Sequence, residues 1–480
     1  MKQARIVLTA DEGMMSDFGN RLYYGYAACL PTRSFTKSRF RTLFCPPVKC
    51  HSDGRAKLAP LSLRLVESIL HRCGFNENEY AILHPKYLGR FVGPKTRIVG
   101  VSAIDPRGLG PVSTTVCSPS SGIPYSRVLF ANLLNRIKAL KEKYSFKVVV
   151  GGPGAWQLAD EKILDEYGID YLVMGEAEKV IPELFTRLVC DDNSDPLRII
   201  TGKTSRAAEI PPILHGSTNG LIEASRGCGR GCAWCSSSVA GPMRFIPMDT
   251  IKKSAEVNVR SKNADVLLQS DDILLYGSKS RKFVPDLDAV LTLLNELYSI
   301  NGIGNVSFLH FSFASIVASP YIIPKITHLL KDHGCTRFEV QIGIETGSPR
   351  LIGKHMPGKA LPFRPDEWPK IVKEAARILR ENRWLCYATL ILGLPEESSE
   401  DVAKTIKLVK ELRDYPLVIM PLFFVPVTIT QFRECKRFSY KKILKEHTLL
   451  FYEVWKHNEG IASRVHCINS LLNISSWLVS

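Results

Sequence analysis

Two spacings of apolar residues alternate along most of the chain. Short unbroken apolar runs, such as Ile98-Val-Gly-Val101 and Val148-Val-Val150, are separated by longer segments whose apolar residues recur at helical spacing. Runs of the first kind mark strands buried on both faces of a parallel sheet, and segments of the second kind mark the helices that cover it. The first half predicts strands at Ile6–Thr9, Glu79–His84, Thr96–Ala103, Lys147–Val150 and Asp170–Met174. Between them the spacing predicts helices at Leu61–Cys73, Val128–Tyr144, Ala159–Tyr167 and Ile181–Leu188. That order describes a doubly wound, Rossmann-like α/β domain over residues 1–200, its N-terminal extension included. Such domains bind ligands at the carboxyl ends of their strands.

Residues 190–215 are polar and carry Pro196, Pro211 and Pro212, which predicts a linker. A second alternating series follows over residues 201–430. Its strands are expected at Gly220–Ala224, Asp265–Gln269, Val306–Phe313, Arg337–Ile344, Trp384–Leu392 and Leu417–Val425. Helices are expected at Asp249–Val259, Leu287–Tyr298, Pro324–His333, Asp366–Glu381 and Ser399–Arg413. Six such units in a row suit an open, partial (β/α)6 barrel with its active site at the carboxyl ends of the strands. Residues 431–480 are expected to form a helical C-terminal region, with apolar stripes in Tyr440–His457 and Ile461–Leu478.

Composition narrows the class. The 480 residues are 45% hydrophobic and 23% charged, as in an ordinary globular protein with more than one domain. Thirteen cysteines in a chain of this length are no disulfide scaffold. No basic-then-apolar signal opens the chain, so a reducing cytoplasm is expected. The most apolar run, Tyr415–Thr430, holds Pro416, Pro421 and Pro426, which argues against a membrane-spanning helix. A formal charge of +16 asks for anionic surroundings, yet Lys and Arg are scattered, and no nucleic-acid-binding module stands out. Cys29, Cys45 and Cys50 are loosely spaced and are expected to be free or packed rather than metal ligands.

The sharpest chemistry lies in Arg226-Gly-Cys-Gly-Arg-Gly-Cys-Ala-Trp-Cys235. Here Cys228, Cys232 and Cys235 stand in C-x3-C-x2-C spacing inside a Gly-rich loop, and glycines permit the sharp turns that bring three thiolates round one centre. A 4Fe–4S cluster normally takes four thiolates, so three leave one iron open to a cosubstrate. Zinc sites usually pair C-x2-C units or add histidines, and neither lies near in sequence.

This spacing, with Leu221 and Ile222 before it and Trp234 inside it, resembles the radical S-adenosylmethionine (SAM) superfamily. The resemblance implies a cluster on the three cysteines, cleavage of SAM to a 5′-deoxyadenosyl radical, and a ferredoxin-type electron donor. It also implies SAM contacts from Glu345, Ser348 and Ser312, with adenine lying against Gly393, and sets Asp271 and Asp272 where many relatives carry Gly-Gly-Glu near the SAM amine. For the three polar strand-end residues Glu345, Ser348 and Ser312, ordinary capping is the competing expectation. Gly151-Gly-Pro153 after one strand and Gly175-Glu176 after the next resemble the cobalamin-binding domain of one large class of these enzymes. No His stands in an Asp-x-His-x-x-Gly context, so a cobalamin here is expected without a His ligand, with Asp105 facing the cobalt.

Glu345-Thr-Gly-Ser-Pro-Arg350, Met356–Phe363, Trp368-Pro369 and Thr389–Pro395 resemble a narrower group that modifies membrane lipids, the hopanoid methylases and tetraether ring synthases. The resemblance implies ring closure or C-methylation of a lipid, with C-methylation of a protein residue or small molecule as the alternative. From another class, the rival is an iron–sulfur scaffold or redox sensor that consumes no SAM. A monomer with peripheral membrane contact through its C-terminal stripes completes the expectation.

Overall fold

The computed structural model describes residues 3–18, 22–118, 120–190, 197–236 and 241–462. The chain divides into two compact units, residues 1–222 with 247–266, and residues 223–246 with 267–480.

The first unit is built on six strands, β1 (Ile6–Ala10), β2 (Tyr80–Ile82), β3 (Ile98–Ser102), β4 (Lys147–Gly151), β5 (Tyr171–Gly175) and β6 (Ile199–Gly202). They form one sheet in the order β2-β1-β3-β4-β5-β6, and every pair is parallel. Both faces are covered. Val7, Val99, Val101, Val148, Val150 and Leu172 pack with Phe130, Leu133 and Leu164 on one side, while Ile6, Leu8, Ile98, Val149 and Val173 pack with Leu63, Leu70, Leu184 and Phe185 on the other. Burial on both sides is why these strands lack an alternating pattern.

β6 corrects the expected linker. Four partly exposed residues at a sheet edge carry too short an apolar run to stand out from the polar segment around them. The boundary accordingly falls at residue 222 rather than 200. Buried Arg64 helps to hold the later segment, donating from Nε to the Gly216 carbonyl at 2.9 Å and pairing with Glu67 at 3.0 Å.

The second series of strands comprises β7 (Leu221–Glu223), β8 (Ser225–Arg226), β9 (Arg244–Phe245), β10 (Val266–Gln269), β11 (Val306–Phe308), β12 (Glu339–Glu345), β13 (Leu385–Leu392) and β14 (Leu417–Phe423). β7, β10 and β11 form one three-stranded sheet, and β12, β13 and β14 another. A parallel bridge between His310 and Gln341 joins them, so six strands follow in chain order as in a partial barrel. In β12–β14, Gly343, Thr389, Ile391, Met420 and Leu422 are half-buried whereas the residues between them are buried. One face is thus sealed by helices and the other left accessible.

β11 ends five residues before the expected Phe313, because Phe313 opens a helix, Phe313–Ala318, with Ser312 at its N-cap position. Apolar residues recur through Val306–Phe313 without a Gly or Pro to mark where the strand stops and the buried helix starts. In the C-terminal region the chain forms a helix over Lys445–Ala462. Expected helical residues beyond 462 lie outside the described residues. No described helix is long and apolar enough to cross a membrane.

Candidate active site

The Cys loop is closed at its base by the antiparallel ladder of β8 and β9, in which Ser225 faces Phe245 and Arg226 faces Arg244. Within it Gly227, Gly229 and Gly231 all have positive φ, a conformation that only glycine adopts without strain. A Cβ on Gly227 would lie 2.8 Å from the Pro242 carbonyl oxygen. The alternating glycines therefore wind the chain tightly about Cys228 and bring it towards Cys232.

Burial pushes the Cys228 thiol up to about 12, against the Arg230 guanidinium and the Arg230 amide, which pull it down. Burial likewise pushes Cys232 up to about 11, opposed first by Lys359. Sheltered thiols with cations close by suit a bound metal, which deprotonates them outright. Among the described residues, no three His, Cys, Asp or Glu side chains converge on a single ion. A cubane takes one thiolate on each iron and does not require that convergence. The donor set, its spacing and its glycine-wound backbone fit the cluster.

Glu345 ends β12 with a φ of +64°, rare and strained for a residue with a side chain, and is 5% exposed. Its carboxylate is fixed by Lys359 at 3.1 Å and by the Thr389 hydroxyl at 3.2 Å. Trp368 Nε1 donates to the carbonyls on either side, Ile344 at 3.2 Å and Thr346 at 3.1 Å. These bonds hold the strained backbone in place.

Ser348 resolves towards the competing expectation. Fully buried, it caps the helix Pro349–His355, accepting from the Leu351 amide and donating to Asp401 Oδ1. Ser312 stands at an N-cap position without a side-chain cap bond and is half-buried, so its hydroxyl is not committed to the helix. Asp271 is half-buried, and its neighbour Asp272 is the carboxylate built into the site. Asp272 Oδ2 accepts from Ser315 at 2.6 Å and from Arg230 at 3.2 Å, and burial raises its pKa against those two partners. Gly393 has a φ of +77°, and a Cβ there would lie 2.0 Å from the Phe438 ring. Phe438 fills the side of Gly393 that a side chain would take.

In the first unit the expected ligand residues gather at strand ends. A Cβ on Gly152 would lie 2.7 Å from the Ala103 carbonyl oxygen, and one on Gly154 would lie 2.3 Å from that of Ile104. These glycines let the loops after β3 and β4 pack backbone to backbone. Gly151 is half-buried, while Pro153 and Ile104 are exposed, leaving an apolar ledge at the carboxyl edge. Gly175 has a φ of +80° beside Gly202, and Glu176 accepts from the Ser205 amide at 2.8 Å. Asp105 lies in the loop after β3. Its carboxylate is buried and accepts from the Gly110 amide, Ser113, Ser126 and Gln157, which organise its own loop.

Sequence reasoning passed over Arg230, Lys359 and Gly343. The one available signal was an arginine set between glycines and midway between two ligand cysteines.

Residues 222–409 match the family model described as the Radical SAM superfamily, so this segment is a radical SAM domain, whose cofactors are a 4Fe–4S cluster and SAM. A protein of Methanopyrus kandleri described as uncharacterized is 26% identical over 329 residues, 54% of this chain and 57% of its own. The tRNA-2-methylthio-N(6)-dimethylallyladenosine synthase of Thermodesulfovibrio yellowstonii is 26% identical over 293 residues, 59% of this chain and 61% of its own. The chain thus spans about 57–61% of the length of these curated relatives.

Among solved structures, the radical SAM methyltransferase TsrM from Kitasatospora setae, with cobalamin and a 4Fe–4S cluster bound, superposes with a TM-score of 0.58 at 15% identity. That match covers 89% of this chain and 74% of TsrM. The cobalamin-dependent SAM radical enzyme OxsB, with aqua-cobalamin bound, superposes at 0.56 and 11% identity, over 96% of this chain and 56% of OxsB. At these identities the likeness establishes the fold.

Proposed function

We propose that the chain is a cobalamin-dependent radical SAM enzyme that transfers a methyl group to an unactivated carbon. The observation that carries this reading is the pairing, in one chain, of a glycine-wound three-cysteine loop with a six-stranded parallel sheet whose carboxyl edge presents Ile104, Gly151 and Pro153. The likeness to two cobalamin-containing enzymes, which extends over both units, supports it.

When bound, the cluster supplies the electron that cleaves SAM to a 5′-deoxyadenosyl radical, and cobalamin supplies the methyl group. Cys228, Cys232 and Cys235 would hold the cluster. Glu345, preset by Lys359 and Thr389, would accept hydrogen bonds from SAM, and Ser312 would donate one. Ile391, Met420 and Leu422 on the accessible barrel face would keep water from a carbon radical. A reduced ferredoxin-type protein would deliver the electron.

We place the methyl acceptor in a small molecule or a peptide. One TsrM structure holds a tryptophan substrate, whereas no lipid appears in the names of the relatives or structures named above. A tRNA acceptor is the second reading, favoured by the names of relatives and by the +16 charge.

Anaerobic purification followed by iron and cobalt analysis tests the reading, together with an assay for 5′-deoxyadenosine from SAM under strong reductant. About four irons per chain, bound cobalamin and SAM cleavage are expected. Iron and SAM cleavage without cobalamin would remove methyl transfer from cobalamin and favour the second reading. A cluster that leaves SAM intact would point to a redox sensor, and absence of iron would sink both readings.

A further inference from the structure

The segment Met356-Pro-Gly-Lys-Ala-Leu-Pro362 drew notice in the sequence only as a resemblance, and its position in the fold gives it a task. We propose that residues 355–361 form a cradle for the Cys loop, in which Arg230 positions Cys228 and Cys232, and Lys359, joined to Arg230 through its carbonyl, supplies a cation on the same turn. The inference rests on the cluster reading above and deepens it.

Arg230 lies midway between the two cysteines and is 5% exposed. Its Nη1 donates to three main-chain carbonyls of the turn, Gly358 at 2.9 Å, Leu361 at 3.1 Å and Lys359 at 3.3 Å. Its Nη2 donates to Ser315 at 2.9 Å and Asp272 at 3.2 Å. The ring of Phe283 lies beneath the guanidinium at 4.7 Å. The main chain completes the joint, because the Gly358 amide donates to the Arg230 carbonyl at 2.9 Å. A Cβ on Gly358 would come within 2.3 Å of that same oxygen, so only glycine permits the approach. In the second span of the motif, the Ala233 amide donates to the His355 carbonyl at 2.8 Å. Each interval between ligand cysteines is therefore pinned to the same turn. A planar fork is needed to reach several carbonyls and a carboxylate at once, which an ammonium does not provide.

Lys359 leaves this turn with its ammonium 3.1 Å from Glu345 and 5.4 Å from the Trp368 ring centroid, its side chain only 13% exposed. With little water to screen it, its charge is offset chiefly by Glu345. What remains acts on the Cys loop, to which the Lys359 carbonyl is joined by Arg230 at 3.3 Å. Reduction adds negative charge to a cluster, so a fixed positive charge nearby raises its potential.

The test uses the full chain, reconstituted anaerobically, as wild type and as Arg230→Lys, Arg230→Gln, Lys359→Met and Lys359→Arg. Iron and sulfide content, the electron paramagnetic resonance of the reduced cluster, a redox titration and melting of the apoprotein are measured. Both Arg230 variants should hold the cluster about tenfold more weakly, as when an outer ligand shell is broken, with Lys failing to rescue. Lys359→Met should keep its iron and titrate at a lower potential, and Lys359→Arg should restore it. Arg230 variants with wild-type iron and spectrum, or Lys359→Met at an unchanged potential, would overturn the cradle. If Arg230→Gln fails to fold, Arg230→Lys and the Lys359 pair decide. A wild-type chain that takes up no iron overturns the cluster reading itself, whereas a wild-type cluster with unaffected variants overturns only this inference.

Discussion

A Cβ placed on Gly343 would stand 1.7 Å from Oε1 of Glu345, two residues further along β12. The register against β13 shifts at this point, so the strand bulges to let the Glu345 side chain fold back over its own backbone. Gly343→Ala should therefore leave the fold intact while displacing the carboxylate from Lys359 and Thr389. SAM affinity should fall about tenfold, the worth of one charged hydrogen bond. Calorimetric titration of SAM into the reconstituted protein checks this, and unchanged affinity would remove Glu345 from the SAM site.

Ser348 offers a test of the opposite kind, since its hydroxyl serves the helix that follows. Asp401 receives bonds from Ser348, Arg350 and Ser398. Burial pushes its pKa up, and those three partners outweigh it and hold the carboxyl well below the usual range. A carboxyl lowered in the folded state contributes stability above its unfolded pKa and loses it as pH falls through the folded one. Ser348→Ala should cost about 1 kcal/mol, as for loss of an N-cap. The deficit should shrink in strong acid and SAM affinity should not change. Denaturant unfolding against pH, paired with SAM titration, separates the cap from a ligand.

Asp11, at the end of β1, has the reverse sign. Burial pushes its pKa up to about 6, against amide bonds from Met14 and Gly13. Between the ordinary carboxylate value and that raised one, the native state binds more protons than the unfolded state, so stability falls as pH rises. A rise from the ordinary carboxylate value to about 6 corresponds to at most ~3 kcal/mol. Asp11→Asn keeps an oxygen for the two amides and does not titrate. Its stability relative to wild type should grow from about pH 4 to about pH 7, and a constant difference across that range would contradict the burial argument.

What the sequence made legible follows from the range over which each signal acts. The strands buried on both faces announce themselves as local apolar runs, and the three cysteines as local spacing, so the two parallel-sheet architectures and the Cys loop were visible. β6 was not, because an edge strand of four residues buries too little to differ from a linker. Nor was the task of Arg230, whose partners Asp272, Ser315 and Gly358 lie 42 to 128 residues away in the chain. Ser348 shows the limit most clearly. A serine after a strand and before Pro349 fits a ligand contact and a helix cap equally well, and only the arrival of Asp401 from a distant helix decides between them.

Gly393 and Phe438 pose the same question across 45 residues, and a double-mutant cycle answers it. A methyl at 393 meets both an unfavourable φ and the Phe438 ring, so Gly393→Ala should cost about 2 kcal/mol or more. Phe438→Ala removes a buried ring, 6% exposed, that also packs edge-on against Phe423 and His447. Its cost should be about 3 kcal/mol. In the double variant the methyl enters space that the ring has left, so the combined cost should fall short of the sum by about 1 kcal/mol. The remainder is the φ strain, which losing the ring does not relieve. Denaturant unfolding of the four proteins measures the coupling. Strict additivity would mean that the ring does not fill the open side of Gly393.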